Sequence, residues 1–198
     1  MSKLHDKRVI RTKKSFKHAL ISLLKESNFE NIKITAIVNE AGYNRGTFYL
    51  HYQCKEDLLD EVVKAMLNNL AEAFREPYIN MNKNTKINIV GLSTIGIFDH
   101  FIRNKEFYEV ILSSNVPVNY HQKMIRLMEK HFKEEIDFTA NKSETDIDIE
   151  LFYQYRVHGI IGLILEWIRN DFQHSPCYMA EQIVKIATFH TKKIYIKW

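Results

Sequence analysis

Between positions 34 and 59 the chain reads ITAIVNEAGYNRGTFYLHYQCKEDLL, and it gathers a guanidinium (Arg45), hydroxyls (Thr47, Tyr49), an imidazole (His51) and an ammonium (Lys55) within eleven positions. Groups of this kind, side by side on one exposed helix face, suit phosphate oxygens and base edges. Arg45 is the base-reading candidate, because a guanidinium can donate to guanine O6 and N7 together. Tyr49 offers a hydroxyl to phosphate and a ring to sugar or a thymine methyl. Lys55 adds charge at a helix N-terminus, where backbone N–H groups already favour an anion. Lys33 and Thr35 stand ready for the adjacent phosphate, and Lys7, Arg8 and Arg11 for the neighbouring backbone or minor groove.

Such groups need a scaffold, and the Ala41-Gly42 step supplies its centre. A short apolar-periodic run stops at the glycine and a second begins a few residues later, the pattern of a helix-turn-helix. Gly42 suits the left-handed position just past a helix end. Asn44 is placed to cap the second run. The 3.6-residue spacing of apolar side chains predicts helices over 3–26, 34–41, 45–52 and 55–74. Val9, Phe16, Ala19, Leu20, Leu23 and Leu24 fall on the buried side of the first, and Phe29 and Ile32 plug the top of the small core. Phe48 and Tyr52 read as core aromatics rather than contacts. Further apolar helices are predicted over 86–103, 105–113, 119–138, 147–172 and 175–195, giving about nine in an all-α fold. With six glycines and three prolines in 198 residues, there is little punctuation for an all-β chain.

Charge is unevenly spread. Residues 1–55 hold 11 Lys and Arg against 4 Asp and Glu, a balance of +7, within a chain whose net charge is +4. The positive excess therefore lies in the segment with the helix-turn-helix, as expected of a nucleic-acid-binding region joined to a neutral or acidic one.

Residues 8–60 resemble the DNA-binding domain of the TetR family of bacterial regulators. The matching positions are Ala41, Gly42, Asn44, Gly46, Thr47, Phe48, Tyr49, Leu50, His51, Tyr52, Lys55 and Leu58. The resemblance implies that Thr47, Tyr49, His51 and Lys55 meet the sugar-phosphate backbone. The DNA-binding set is then Lys33, Thr35, Asn44, Arg45, Gly46, Thr47, Tyr49, His51 and Lys55. Two positions depart from the family pattern. Lys33 stands where Thr or Ser usually caps the second helix, leaving Asn31 or Thr35 for that role, and Cys54 precedes Lys55.

The later region is similar to the regulatory domain of a TetR subgroup found largely in Gram-positive bacteria. Asn104-Lys105-Glu106-Phe107-Tyr108, Gly159-Ile160-Ile161-Gly162, Glu166-Trp167 and Ser175-Pro176 carry that likeness. It implies a helical ligand or partner domain whose last two helices pair with a second copy in a four-helix bundle. Pro77 and the polar run 80–84 place the boundary: a DNA-binding domain at 1–55, a linking helix at about 55–76, and a ligand-sensing and dimerisation domain at 77–198. Phe98, Phe101, Phe107, Tyr108, Met124, Met128, Tyr155, His158 and Trp167 are candidates to line a ligand cavity. At helical spacing the competing reading is plain core, including a satisfied core histidine at His158. The polar run 139–146 reads as a loop.

The function expected is a homodimeric regulator of a double-stranded DNA operator, a repressor released by an unknown small-molecule or protein effector. The alternative is an activator or helical adaptor controlled by a partner protein. No glycine-rich phosphate loop, HExxH, CxxC or nucleophile elbow is present, so neither catalytic residues, nor a metal, nor a cofactor is expected. No run of 18 apolar residues suggests a membrane span. Two cysteines and a basic N-terminus without an apolar core point to a cytoplasmic protein. Cys54, close to a helix N-terminus, raises the minor alternative of a redox switch through an acidified thiol.

Overall fold

The computed structural model describes residues 2–76, 90–135 and 148–188. Among these there is no strand, and nine α-helices follow in order. They are α1 (Ser2–Glu26), α2 (Ile34–Glu40), α3 (Arg45–Tyr49), α4 (Lys55–Arg75), α5 (Val90–Arg103), α6 (Lys105–Ile111), α7 (Val118–Glu135), α8 (Ile149–Arg169) and α9 (Pro176–Thr188), with a 3-10 turn at Phe29–Asn31. The all-α fold predicted from spacing is what forms. The boundary expected at Pro77, the polar runs 80–84 and 139–146, and the outer ends of four predicted helices (86–89, 136–138, 147 and 189–195) lie outside the described residues.

The described residues group into two compact units. One lies within Met1–Asn69 and Lys105–Leu127, the other within Leu70–Asn104 and Met128–Trp198. In the first, α1 packs on α2 and α6, and α2 on α3. Its core is largely the one read from the sequence: Phe16, Leu20, Leu24, Phe48, Leu58, Leu59 and Val63 are fully buried, with Ala19, Phe29, Ile32 and Tyr52 beside them. Val9 and Leu23, expected inside, are only half-buried, and Ile37 joins the core unforeseen. Rings of Phe16, Phe48 and Tyr52 meet edge-on or tilted, with centroids 5.4 to 6.3 Å apart. Such pairing adds to plain area burial.

In the second unit α5 packs along α9. Asp148 caps α8, its Oδ1 accepting from the backbone N–H of Glu150 and Leu151 at 2.9 and 3.1 Å. Pro176 opens α9, where a missing N–H costs nothing, and Ser175 Oγ accepts from Tyr178 N at 3.2 Å. The end of α8 is unusual. Phe172 N donates to Trp167 O at 3.0 Å and Asp171 N to Ile168 O at 3.1 Å, the bonding of a Schellman motif. Asp171 and Phe172 sit at φ 56° and 55° without glycine. The Phe172 ring meets Trp167 at 4.8 Å, the apolar contact that accompanies such an end.

Candidate nucleic-acid interface

The turn between α2 and α3 is fixed at both ends by local bonds. At the end of α2, Tyr43 N donates to Val38 O at 2.8 Å and Gly42 N to Asn39 O at 3.1 Å. This Schellman motif places Gly42 at φ +72°, and a Cβ there would meet nothing within 4 Å. Backbone conformation, not crowding, is therefore the reason for the glycine. At the start of α3, Asn44 Oδ1 accepts from Thr47 N at 2.8 Å and from Thr47 Oγ1 at 3.1 Å. Asn44 is the cap that its residue type suggested. A Cβ on Gly46 would come within 3.3 Å of that same Oδ1, so Gly46 keeps the cap uncrowded. The cap of α2, by contrast, is neither Asn31 nor Thr35. Lys33 occupies the N-cap position and makes no side-chain cap bond.

Helix α3 ends at Tyr49, with Leu50 as its C-cap, three residues short of the 45–52 span predicted. It is pinned by one fully buried ring, Phe48. Around that anchor Arg45 is exposed, as are Asn44 and Gly46, Tyr49 is 56% exposed and Leu50 80%. Thr35, Thr47 and His51 are half-buried, and Lys33 is exposed. The exposed face thus combines a guanidinium, a phenol and an aliphatic side chain, a set that can address phosphate, a purine edge and a thymine methyl.

Lys55 is used differently from expectation. Its Nζ donates to Phe29 O at 2.6 Å, Glu30 O at 2.9 Å and Ile32 O at 2.9 Å, and lies 4.6 Å from the centre of the Phe29 ring. An ammonium has three N–H donors, and all three are engaged. Lys55 is a clip that ties the start of α4 to the junction between α1 and α2. The anion-binding capacity expected at the α4 N-terminus is also partly taken. Asp57 Oδ2 accepts from Gln53 N at 2.9 Å and Cys54 N at 3.3 Å, the returning half of a capping box. The Cys54 thiol is not acidified. A backbone hydrogen bond at Asp57 acts to lower its pKa, but burial and the neighbouring Glu56 and Asp57 outweigh it and raise the thiol above its ordinary value. The chemical ground for a redox switch at Cys54 is removed.

Two family descriptions match the chain: "Bacterial regulatory proteins, tetR family" over residues 18–62 and "Transcriptional regulator C-terminal region" over residues 92–189. The chain belongs to the TetR family. It is 22% identical over 176 residues to YxbF, an HTH-type transcriptional regulator of Bacillus subtilis (strain 168), covering 87% of this chain but only 43% of that protein. Its fold is similar to the crystal structure of a TetR transcriptional regulator from Streptococcus agalactiae, with TM-score 0.63, 19% identity, and 94% of this chain and 98% of that one covered. It is also similar to FadR from Bacillus subtilis in complex with stearoyl-CoA, with TM-score 0.60, 19% identity, and 87% and 95% covered.

Within this TetR-family chain, two side chains of the first compact unit escaped the sequence reading. Tyr43 follows the turn glycine, and its ring meets Phe16 with centroids 5.3 Å apart. A hydrogen bond from Thr12 pulls its phenol below the ordinary value, against burial, with help from Ser15 and the charges of Arg11 and Arg8. The clue was positional, because the second residue after a helix end is where an apolar contact back onto the fold is common. Glu61 on α4 binds Lys13 at 2.8 Å and Lys17 at 2.9 Å from α1. Burial acts to raise its carboxyl, but the two lysines prevail and hold it below the usual carboxylate value.

The nine ligand-lining candidates separate. Phe107, Tyr108 and Met124 belong to the first compact unit; Phe98, Phe101, Met128, Tyr155, His158 and Trp167 belong to the second. All are buried except Tyr155, which is 76% exposed, and His158, also exposed. His158 is therefore not a core histidine; its Nδ1 stands 3.4 Å from Glu129 Oε1 at the surface. Trp167 is central to its unit, with Phe98 edge-on at 5.0 Å and its indole N–H donating to His174 O at 3.0 Å.

Proposed function

We propose that this TetR-family chain is a cytoplasmic, homodimeric repressor that binds a pseudo-palindromic DNA operator and is released by an effector acting on its later helices. The observation that carries the reading is the exposed face of α3, where Arg45, Tyr49 and Leu50 surround a buried Phe48, inside a segment with a balance of +7. Arg45 reads a base edge. Lys33, Thr35, Asn44, Thr47, Tyr49 and His51 address the sugar-phosphate backbone, and Gly46 lets it approach. Lys55 serves by holding this surface in place. Residues 1–55 form the DNA-binding domain, 55–76 the linking helix, and 77–198 the sensing and dimerisation domain.

Dimerisation through α8 and α9 is supported by what one copy leaves uncovered. Leu151, Tyr155, Leu163, Tyr178 and Ile186 are exposed. Gly159 and Gly162 lie mid-helix in α8, and a Cβ on either would meet nothing within 4 Å. A mid-helix glycine costs roughly 1 kcal/mol relative to alanine, and nothing among the described residues calls for either. Close approach of a second helix does. Two copies would then present α3 to successive major grooves about 34 Å apart. No helix among the described residues is long and apolar enough to cross a membrane.

The test is selection of bound fragments from genomic DNA by the purified chain at near-physiological salt. One recovered inverted repeat supports the reading, and its position relative to a promoter fixes the sign of regulation. Binding that depends on salt but not on sequence would overturn it. The FadR structure contains stearoyl-CoA, so long-chain acyl thioesters are a reasonable first class of effector to add to the recovered complex.

A further inference from the structure

The junction between α1 and α2 is held from two directions. From α4 it is held by Lys55, whose ammonium binds three of its carbonyls. From the turn between α6 and α7 it is held by Asn115, far away in sequence. Asn115 Nδ2 donates to Leu24 O at 2.8 Å, and Asn115 O accepts from Phe29 N at 2.8 Å. Leu24 O is one of the carbonyls that a helix end leaves without an intrahelical partner, so Asn115 acts as a C-cap for α1. Phe29 N–H opens the 3-10 turn and would otherwise lack a partner beside a buried ring. The turn carrying Asn115 is itself fixed: Ser113 Oγ donates to Val110 O at 2.7 Å and accepts from Asn115 N at 3.2 Å. Lys25 pairs with Glu106 on the same side of α1.

We propose that Asn115 is a positioning residue for DNA binding. The α6–α7 turn sets the place of the α1–α2 junction, Lys55 passes that setting to the start of α4, and the helix-turn-helix lies between these two points. All of these residues belong to the first compact unit. The chain enters that unit at Lys105 and leaves it within α7 after Leu127, so the turn is one of the points, with Lys123 on Asp60, where the later part of the chain holds the DNA-binding part by hydrogen bonds. The inference rests on the DNA-binding reading above. It adds a residue that is neither on the DNA-facing surface nor among the cavity candidates.

The test compares wild-type chain with Asn115→Ala and Asn115→Asp on the selected operator, at a temperature where circular dichroism shows each fully folded. Asn115→Ala removes the bond to Leu24 O and leaves the backbone bond from Phe29. It is expected to weaken operator binding about fivefold, the equivalent of one net hydrogen bond, with an unchanged slope against salt because no phosphate contact is lost. Asn115→Asp turns a carboxylate toward a carbonyl oxygen and is expected to weaken it further. Val63→Ala, a buried change on α4, serves as the control for instability alone, and its operator affinity is expected to stay within twofold of wild type. Affinity within twofold for both Asn115 variants overturns the inference, as does a salt slope reduced by about one, which would make Asn115 a phosphate contact. Should neither variant fold, amide exchange at Phe29 in wild-type chain decides. It is expected to slow about tenfold on operator binding, and unchanged exchange overturns the proposal. Failure of wild type itself to select a sequence would instead remove the DNA-binding reading.

Discussion

In the first compact unit, distant stretches of chain are joined by polar bonds over a small apolar core. Lys55 reaches back to Phe29, Glu30 and Ile32, Asn115 to Leu24, Glu61 to Lys13 and Lys17, and Lys123 to Asp60 at 2.8 Å. In the second unit the described joins are largely rings and aliphatic side chains, with α5 lying on α9 and Trp167 between Phe98 and Phe172. Hydrogen bonds are directional and lose strength steeply when bent, whereas apolar burial is not directional. The first unit is thus built to hold a few groups in fixed places, as reading DNA requires. The second is held mainly by burial of rings and aliphatic side chains, which fixes no single bond direction.

The largest expected effect tests the apolar side of that contrast. Trp167→Ala should cost about 3–5 kcal/mol of stability, measured by denaturant unfolding. Operator affinity of the folded fraction should stay close to wild type. Equal damage to both properties would mean the two units are not separable in this way. Next comes the polar side. Lys55→Met keeps the stem but strands three carbonyls, so about 2 kcal/mol should be lost, and operator binding should fall more than tenfold. Retention of both would show that the clip is incidental.

Acid separates the units more gently. Burial, and then the Arg103 charge, depress the His100 pKa to about 4 from 6.5. The unfolded chain therefore takes the proton first, and His100 stabilises the fold fully only above pH 6.5, losing that contribution as pH falls toward 4. The Glu61 carboxyl lies below its ordinary 4.5, so its contribution is kept above pH 4.5 and lost only as pH falls through the lowered value. Hydrogen exchange at pH 5.5 should accordingly show the second unit loosened and the first intact, and His100→Phe should remove the difference. Similar loosening of both units would contradict the assignment.

The smallest effects concern the two Schellman ends. Gly42→Ala at φ +72° should cost about 1 kcal/mol, and Asp171→Gly at φ 56° should gain about as much. Opposite shifts in thermal midpoint are the expected readout.

What was legible in the sequence was local. Gly42, the Asn44 cap and the buried Phe48 each declare themselves within a few residues, because turn chemistry and the 3.6-residue period act at short range. The all-α fold followed from the same period. The Lys55 clip and the Asn115 cap did not, since Lys55 lies 25 residues from Glu30 and Asn115 lies 91 from Leu24, and no periodic signal spans such distances. His158 and Tyr155 show a second limit. An aromatic or imidazole in an apolar helix reads as inward, yet both of these side chains stand exposed on α8. The family resemblance supplied the candidate DNA contacts as a set. It gave no warning that the ammonium of one of them is spent on the protein's own backbone.

Lys55 carries a chemical consequence as well. An ammonium held against three carbonyl oxygens of its own backbone leaves an electrophile little room to reach its nitrogen. Acylating or reductively alkylating reagents should therefore modify exposed amines such as Lys33 well before it. The order in which lysines react becomes a clock for opening of the α1–α2 junction, readable by mass spectrometry on the free protein and on the protein bound to its operator.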